Sequence, residues 1–482
     1  ARRPRSRRLA LNAQTGVSMY DAVAEPLTET ELRSLEAKYC SWGDTVHYLP
    51  DPKFFTGCEG SYMYDAQGRE YLDLQMWYSA VNFGYRNPRL DAVAKRQLDT
   101  LPQVASQYLH REKVELAAAI AQDAERKFGR QGRVHFNVGG AQAVEDSLKI
   151  VRNATGGKSL MFAFEGGYHG RTLGASAITS SYRYRRRYGH FGDRAQFIEF
   201  PYHFRGPKGM SKEEYGELCV AKFARLFETE YNGVLDTKTG QAEFAAFYIE
   251  PIQGTGGYVI PPPNFFTGIK KVLDEHGILL VVDEIQMGLY RTGKLWAIEH
   301  FGVQPDVLVF GKALTNGLNP LSGLWARDEL INPTVFPPGS THSTFNANPM
   351  GTAIALDVLR MTQETDYESM VAAKGAYFLD GLKDLQKRWP QIGDVDGLGL
   401  ALRAEICQAD GYAPNKPLLD RMETEAMKGD LQVGGRTYGL ILDVGGYHKN
   451  VITFAPSLHI SYEEIDLALN LLDVLLHRCV AD

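Results

Sequence analysis

Ile278-Leu-Leu-Val-Val-Asp283-Glu284 and, about one strand and turn later, Asp306-Val-Leu-Val-Phe-Gly311-Lys312 decide how this chain is read. Each is a short, unbroken apolar run ending in charge. Runs of that length and composition are strands buried on both faces, the kind a helix-covered parallel sheet contains. The two strands therefore deliver a carboxylate and a lysine at neighbouring C-terminal ends.

Further apolar runs near 134–137, 159–163 and 246–250 alternate with helical segments between about 90 and 345. That alternation predicts an α/β fold with a mostly parallel sheet and helices on both faces. Upstream, Thr28-x-x-Glu31 before Leu32, Leu35 and Tyr39 reads as a capped helix, and Asp65–Gly68 as a hairpin turn. Downstream, Ser461-x-x-Glu464 opens a run with Ile465, Ala468, Leu469, Leu472, Leu475 and Leu476, a capped amphipathic helix. The expected organisation is a tail over 1–18, a segment of a small domain over 19–88, a large domain over 89–348 and the rest of the small domain over 349–482. The smaller α+β lobe is thus built from both chain ends.

Bulk properties narrow the class. A chain of 482 residues, 44% hydrophobic and 23% charged, is long enough for more than one domain with a substantial core. A net charge of −6 gives no reason to expect nucleic acid or a membrane surface as partner. The five cysteines, Cys40, Cys58, Cys219, Cys407 and Cys479, have no CxxC spacing, which fits reduced thiols and a cytoplasmic setting rather than disulfides or a metal site. The first eight residues carry five arginines without an apolar stretch behind them, so they read as a mobile tail or cloning remnant rather than a signal peptide.

Around the lysine and carboxylate, other segments fit a phosphorylated, flat cofactor. Phe136-Asn-Val-Gly-Gly140-Ala141-Gln142 runs from strand through glycines into a helix, whose first turn offers unpaired N–H groups to a phosphate. Glu165-Gly-Gly-Tyr168-His169-Gly-Arg171-Thr172 places an aromatic that can stack and an arginine that can clamp a carboxylate. Asp283 would pair with a ring nitrogen and Gln286 with a ring hydroxyl, though an Asp at a strand end also caps helices. Ser343-Thr344-Phe345 supplies hydroxyls that can complete a phosphate cup. Lysine as Schiff-base former and carboxylate as partner of a pyridine nitrogen are what pyridoxal 5'-phosphate (PLP) requires.

In order and spacing these segments resemble the class III aminotransferases, the group with 4-aminobutyrate, ornithine and ω-amine transaminases and the fold type I PLP architecture. The stretches that carry the resemblance are Gly60–Asp73, Gly140–Glu145, Tyr168–Thr172, Glu250-Pro-Ile-Gln-Gly254, Asp283–Gln286, Arg291-Thr-Gly-Lys-Leu-Trp296, Gly311-Lys312 and Ser343–Phe345. The resemblance implies that Lys312 bonds PLP and later moves the substrate proton, with Asp283 as its partner in catalysis. It further implies that Gly140, Ala141, Tyr168, His169, Glu250 and Gln286 surround the cofactor. Thr344 would reach the phosphate of a neighbouring subunit, implying a homodimer with shared active sites. The partners implied are a small amino donor and a carbonyl acceptor.

Two departures bear on substrate. Many relatives place a glutamate after Glu-Pro-x-Gln-Gly and an arginine in the C-terminal lobe; here those positions are Thr255 and Thr453. Losing both together is coherent, since either alone would be a costly buried charge. The usual grip on an α-carboxylate goes with them. Arg171 remains for a distal carboxylate, and Arg403 is a candidate substitute or a solvated strand-end residue. Phe55, Trp77 and Tyr78 fall where relatives form the substrate entrance, which suggests a roomy aromatic pocket and an acceptor such as a biosynthetic intermediate. Gln142 stands where relatives commonly carry glutamate. The competing readings are a racemase or lyase on the same fold, and a catalytically silent PLP-binding regulator.

Overall fold

The computed structural model describes residues 27–43, 52–185, 188 and 195–480. The chain divides into two compact units, residues 1–54 and 55–482. The arginine-rich tail lies outside the described residues. In the first unit the helix Glu29–Tyr39 carries the predicted capping box between Thr28 and Glu31, and it buries none of its side chains.

In the second unit, seven strands form one sheet, ordered 132–137, 322–327, 307–310, 279–283, 244–249, 160–164, 195–198. The strand Ser322–Arg327 runs antiparallel to both neighbours, while 307–310, 279–283, 244–249, 160–164 and 195–198 pair in parallel. The sheet is mostly parallel, as the sequence predicts, with two strands that the apolar runs do not announce. Ala195–Ile198 has only four residues, and Ser322–Arg327 begins one residue after an Asn-Gly-Leu-Asn-Pro breaker run.

Alternation along these strands divides the core in two, because successive side chains point to opposite faces. Leu279, Val281, Val307 and Val309 pack on one face with Val144, Ile150 and Val151 of the helix Gly140–Ala154. Leu280, Val282, Leu308 and Phe310 pack on the other with Phe265, Ile269 and Leu273 of the helix Phe265–Glu275. The second face is also aromatic: Phe162 stacks on Phe244 with ring centroids 3.8 Å apart. Both faces being covered explains why the strands read as continuous apolar runs.

Segments from both ends of the second unit meet in a smaller lobe. The hairpin Tyr62–Asp65/Glu70–Asp73 forms as expected, and Glu70–Asp73 pairs in parallel with Arg436–Ile441. A four-stranded sheet, 392–398, 401–406, 451–454 and 443–445, packs under the helix Tyr367–Arg388, while the helix Tyr462–Val480 packs on that helix and on the strands 431–433 and 436–441. The latter opens with the predicted box: Glu464 N–H donates to Ser461 Oγ, and Ser461 N–H to Glu464 Oε2. Among the described residues, no helix is long and apolar enough to cross a membrane.

Candidate active site

A cavity of about 320 Å³ opens at the C-terminal ends of the parallel strands, where Asp283 and Lys312 emerge. Its wall includes Gly140, Ala141, Tyr168, His169, Glu250 and Gln286. Eight residues expected around a cofactor thus converge from five separate stretches of chain.

Lys312 is held in the left-handed region, φ 45°, directly after its strand. A non-glycine residue there is under local strain, which the surrounding packing must hold. Burial pulls its ammonium down to about 8, against the opposing pull of Asp283, Glu250 and Asp443. Loss of hydration outweighs three carboxylates, so the neutral amine is about a tenth of the population at pH 7, against less than about a thousandth for an ordinary lysine.

Asp283 is buried, and its two oxygens have separate tasks. His169 Nδ1 lies 2.9 Å from Oδ2, while Oδ1 accepts from Ile285 N–H at 3.1 Å. The carboxylate therefore closes the turn after its strand, as the ordinary reading of a strand-end Asp expects, and also faces the cavity. Glu250 accepts from Tyr168 N–H at 2.8 Å and Gly254 N–H at 2.9 Å; burial pushes its carboxyl up to about 7. Gln286 Nε2 donates to Tyr258 Oη at 3.0 Å. Tyr258 is fully buried, and nothing in the Gly-Gly-Tyr turn that carries it signals this role.

The helix Gly140–Ala154 begins at Gly139 without a side-chain cap, so its first N–H groups point to the cavity end unclaimed by its own cap residue. A Cβ at Gly140 would stand 2.9 Å from Ile285 Cδ1, so a larger residue here would have to displace the tip of that side chain. Gln142 Oε1 accepts from Val138 N–H at 3.3 Å, fastening the turn before the helix. Ser322 Oγ and Asn319 Oδ1 line the cavity and are buried without a hydrogen-bond partner. Orphaned polar atoms, an uncapped helix start and a buried amine fit a flat, phosphorylated aldehyde such as PLP.

Residues expected at the substrate end divide. Trp77 lines the cavity from a turn in which Met76, Trp77, Tyr78 and Ser79 are all left-handed. That turn is pinned at its start by Asp73, which accepts from Gln75 and Met76 N–H at 2.8 Å each. It is pinned at its end by buried Arg291, which bonds Ser79, Asn82 and two carbonyls. Tyr78 is half-buried and does not line the cavity; Phe55 packs edge-on against Tyr71, 5.2 Å between centroids. Exposed Arg171 donates to Tyr168 Oη at 3.3 Å and lies 4.5 Å from the ring centre of Tyr184.

Arg403 is neither a cavity residue nor a solvated strand end. It is buried, ion-paired to Glu405 at 2.7 Å and bonded to Tyr202, with Arg205 sharing the same glutamate. Its strand packs inward between two neighbours, which the local sequence could not reveal. Thr344 is exposed and does not line this chain's own cavity.

Comparisons with known proteins agree with this geometry. The family described as Aminotransferase class-III matches residues 46–476, and the chain belongs to it. It is 33% identical over 430 residues to ornithine aminotransferase 2 of Staphylococcus aureus, covering 88% of this chain and 94% of the relative. It is 32% identical over 446 residues to the alanine/serine racemase of Pyrococcus horikoshii, covering 92% and 89%. Among solved structures, a thermostable (S)-enantioselective omega-transaminase from Thermomicrobium roseum superposes with a TM-score of 0.82 at 28% identity, over 95% of this chain and 100% of that one. An amine transaminase from an uncultivated Pseudomonas species, in its PLP-bound form, gives 0.81 at 25% identity, over 91% and 99%. The protein is a PLP-dependent aminotransferase of class III with the fold type I architecture.

Proposed function

We propose that Lys312 is the amine that bonds PLP and then carries the substrate proton, with Asp283 facing the pyridine nitrogen. The observation that carries this is the meeting of a buried lysine, its ammonium pulled down towards neutral pH, and a His169-oriented carboxylate in one cavity. PLP, when bound, supplies a protonated ring that accepts the electron pair left when a proton leaves the substrate carbon. Lys312 Nζ, whose lowered affinity for a proton suits it to act as a base, would take that proton and return it. His169 and the Ile285 N–H fix the orientation of the Asp283 carboxylate, which would meet the pyridine nitrogen when PLP is bound. Of the cavity residues, Gly140 and Ala141 would offer backbone N–H groups to the phosphate, Tyr168 would cover the ring and Gln286 would meet the ring hydroxyl.

The substrates are a small amino donor and a carbonyl acceptor. The aromatic entrance at Trp77 and the threonines at 255 and 453 favour an acceptor larger than a simple small amino acid's keto form. Tyr78 and Arg171, neither of which lines the cavity, would contact the substrate only from its rim, as the resemblance implies. Thr344, exposed here, serves the phosphate of a second copy, which makes the working unit a homodimer. The cytoplasm suits its free cysteines. The large domain over 89–348, with a small domain from the flanking segments, accords with the sheet boundaries.

A racemase reading has one observation in its favour, the 32% identity to an alanine/serine racemase. Both reactions begin by removing the same proton. The direct test of the site is Lys312→Ala, which is expected to lower turnover by roughly 10³-fold or more; near-normal turnover by the purified variant would overturn the assignment.

A further inference from the structure

Ser322 opens the antiparallel strand Ser322–Arg327, lines the cavity and is only 1% exposed. Its hydroxyl nevertheless has no hydrogen-bond partner within the chain. A buried hydroxyl is costly to leave unpaired, so this one calls for a reason. Two neighbours share its condition. Asn319 Oδ1 lines the same cavity, and Asn137 Oδ1 lies on the residue paired with Ser322 across the strands. Both are carbonyl oxygens, which only accept, and the Asn137 amide nitrogen already donates to Asp146 at 2.5 Å. Of the three, Ser322 alone can donate to an anion.

Position indicates which anion. Asn137, opposite Ser322, stands three residues before Gly140 and the uncapped helix start. A Cβ at Gly311 would lie 3.2 Å from Ser322 Cβ and 3.8 Å from Ile285 Cγ1, and one at Gly140 would lie 2.9 Å from Ile285 Cδ1. Ser322, Gly311, Ile285 and Gly140 are therefore contiguous at one end of the cavity. Sheet order agrees, since the strands 132–137, 322–327, 307–310 and 279–283 lie side by side in that sequence. Ser322 is thus on the helix-start side of Lys312, and Asp283 is on the other. A cofactor bonded to Lys312, with its ring nitrogen at Asp283, would turn its phosphate towards Ser322.

We propose that Ser322 is a phosphate-binding residue, its Oγ–H donating to a phosphate oxygen of PLP beside the N–H groups of Gly140 and Ala141. None of the stretches that carry the family resemblance contains it. The inference rests on the placement of PLP at Lys312, and its test keeps the two apart. Cofactor-depleted wild type and Ser322→Ala are titrated with PLP and with pyridoxal, which carries the same aldehyde but no phosphate. Thermal unfolding of each is followed with and without PLP. The variant should bind PLP roughly tenfold or more weakly and pyridoxal as the wild type does. Without PLP its Tm should be no lower, because the hydroxyl it loses bonds nothing in the chain; with PLP it should melt below the wild type. Unchanged PLP affinity, or equal weakening of PLP and pyridoxal, overturns the proposal. So does a variant that melts lower without PLP or fails to fold, because the hydroxyl would then serve the fold through Asn137. Lys312→Ala tests the placement separately: a variant that keeps the absorbance of lysine-bound PLP would sink the cofactor site itself.

Discussion

Lys312 and Asp283 show how much a single side chain can reveal from its place in the sequence. Each closes an apolar run, and a charge at the end of a doubly buried strand has few places to go but a site. Tyr258 is not legible in this way. It reaches the cavity residue Gln286 through a contact 28 residues away along the chain. Burial of Lys312 has a measurable consequence. Its ammonium is pulled down to about 8, so the neutral, bond-forming amine grows as pH rises towards that value and is dominant above it. The rate of PLP uptake by cofactor-free enzyme should rise about tenfold per pH unit below 8 and level off above it. A rise continuing unbroken past pH 10 would contradict the lowered value.

Elements are legible where their punctuation is local. The boxes at Thr28–Glu31 and Ser461–Glu464 close over three residues, and both form as the sequence predicts. Arg403 escapes the same reading because its surroundings are set by strands from 392–398 and 451–454, only one of them close to it in sequence. Packing between elements is equally invisible locally. Gly375, in the middle of the helix Tyr367–Arg388, lies against Gly399 at the turn of the 392–406 hairpin; an added Cβ would collide with its carbonyl oxygen. Gly375→Ala is expected to cost about 1–3 kcal/mol in denaturant unfolding, although alanine is the better helix former. A stabilised variant would show that this helix does not press on the hairpin.

For the whole molecule, the mostly parallel sheet is legible because covering both faces leaves an uninterrupted apolar pattern in the strands. Assembly leaves no such pattern. Leu109, Tyr108 and Phe345 are large, exposed apolar side chains, and exposed Thr344 lies beside Phe345. Surfaces of this kind mark interfaces. Sedimentation equilibrium should give twice the mass of one chain, and Thr344→Ala should weaken PLP retention roughly tenfold while leaving the dimer intact. A monomer that keeps PLP and turns over would contradict shared sites.

The most direct test of the account is the visible spectrum of the PLP-loaded enzyme as single amines are added with no acceptor present. Transfer of the amino group from donor to cofactor predicts loss of the band of lysine-bound PLP and growth of the pyridoxamine band, with the fastest amine revealing the donor class. Enzyme that keeps its PLP band with every amine, while solvent deuterium enters the substrate carbon, would contradict transamination and favour racemisation.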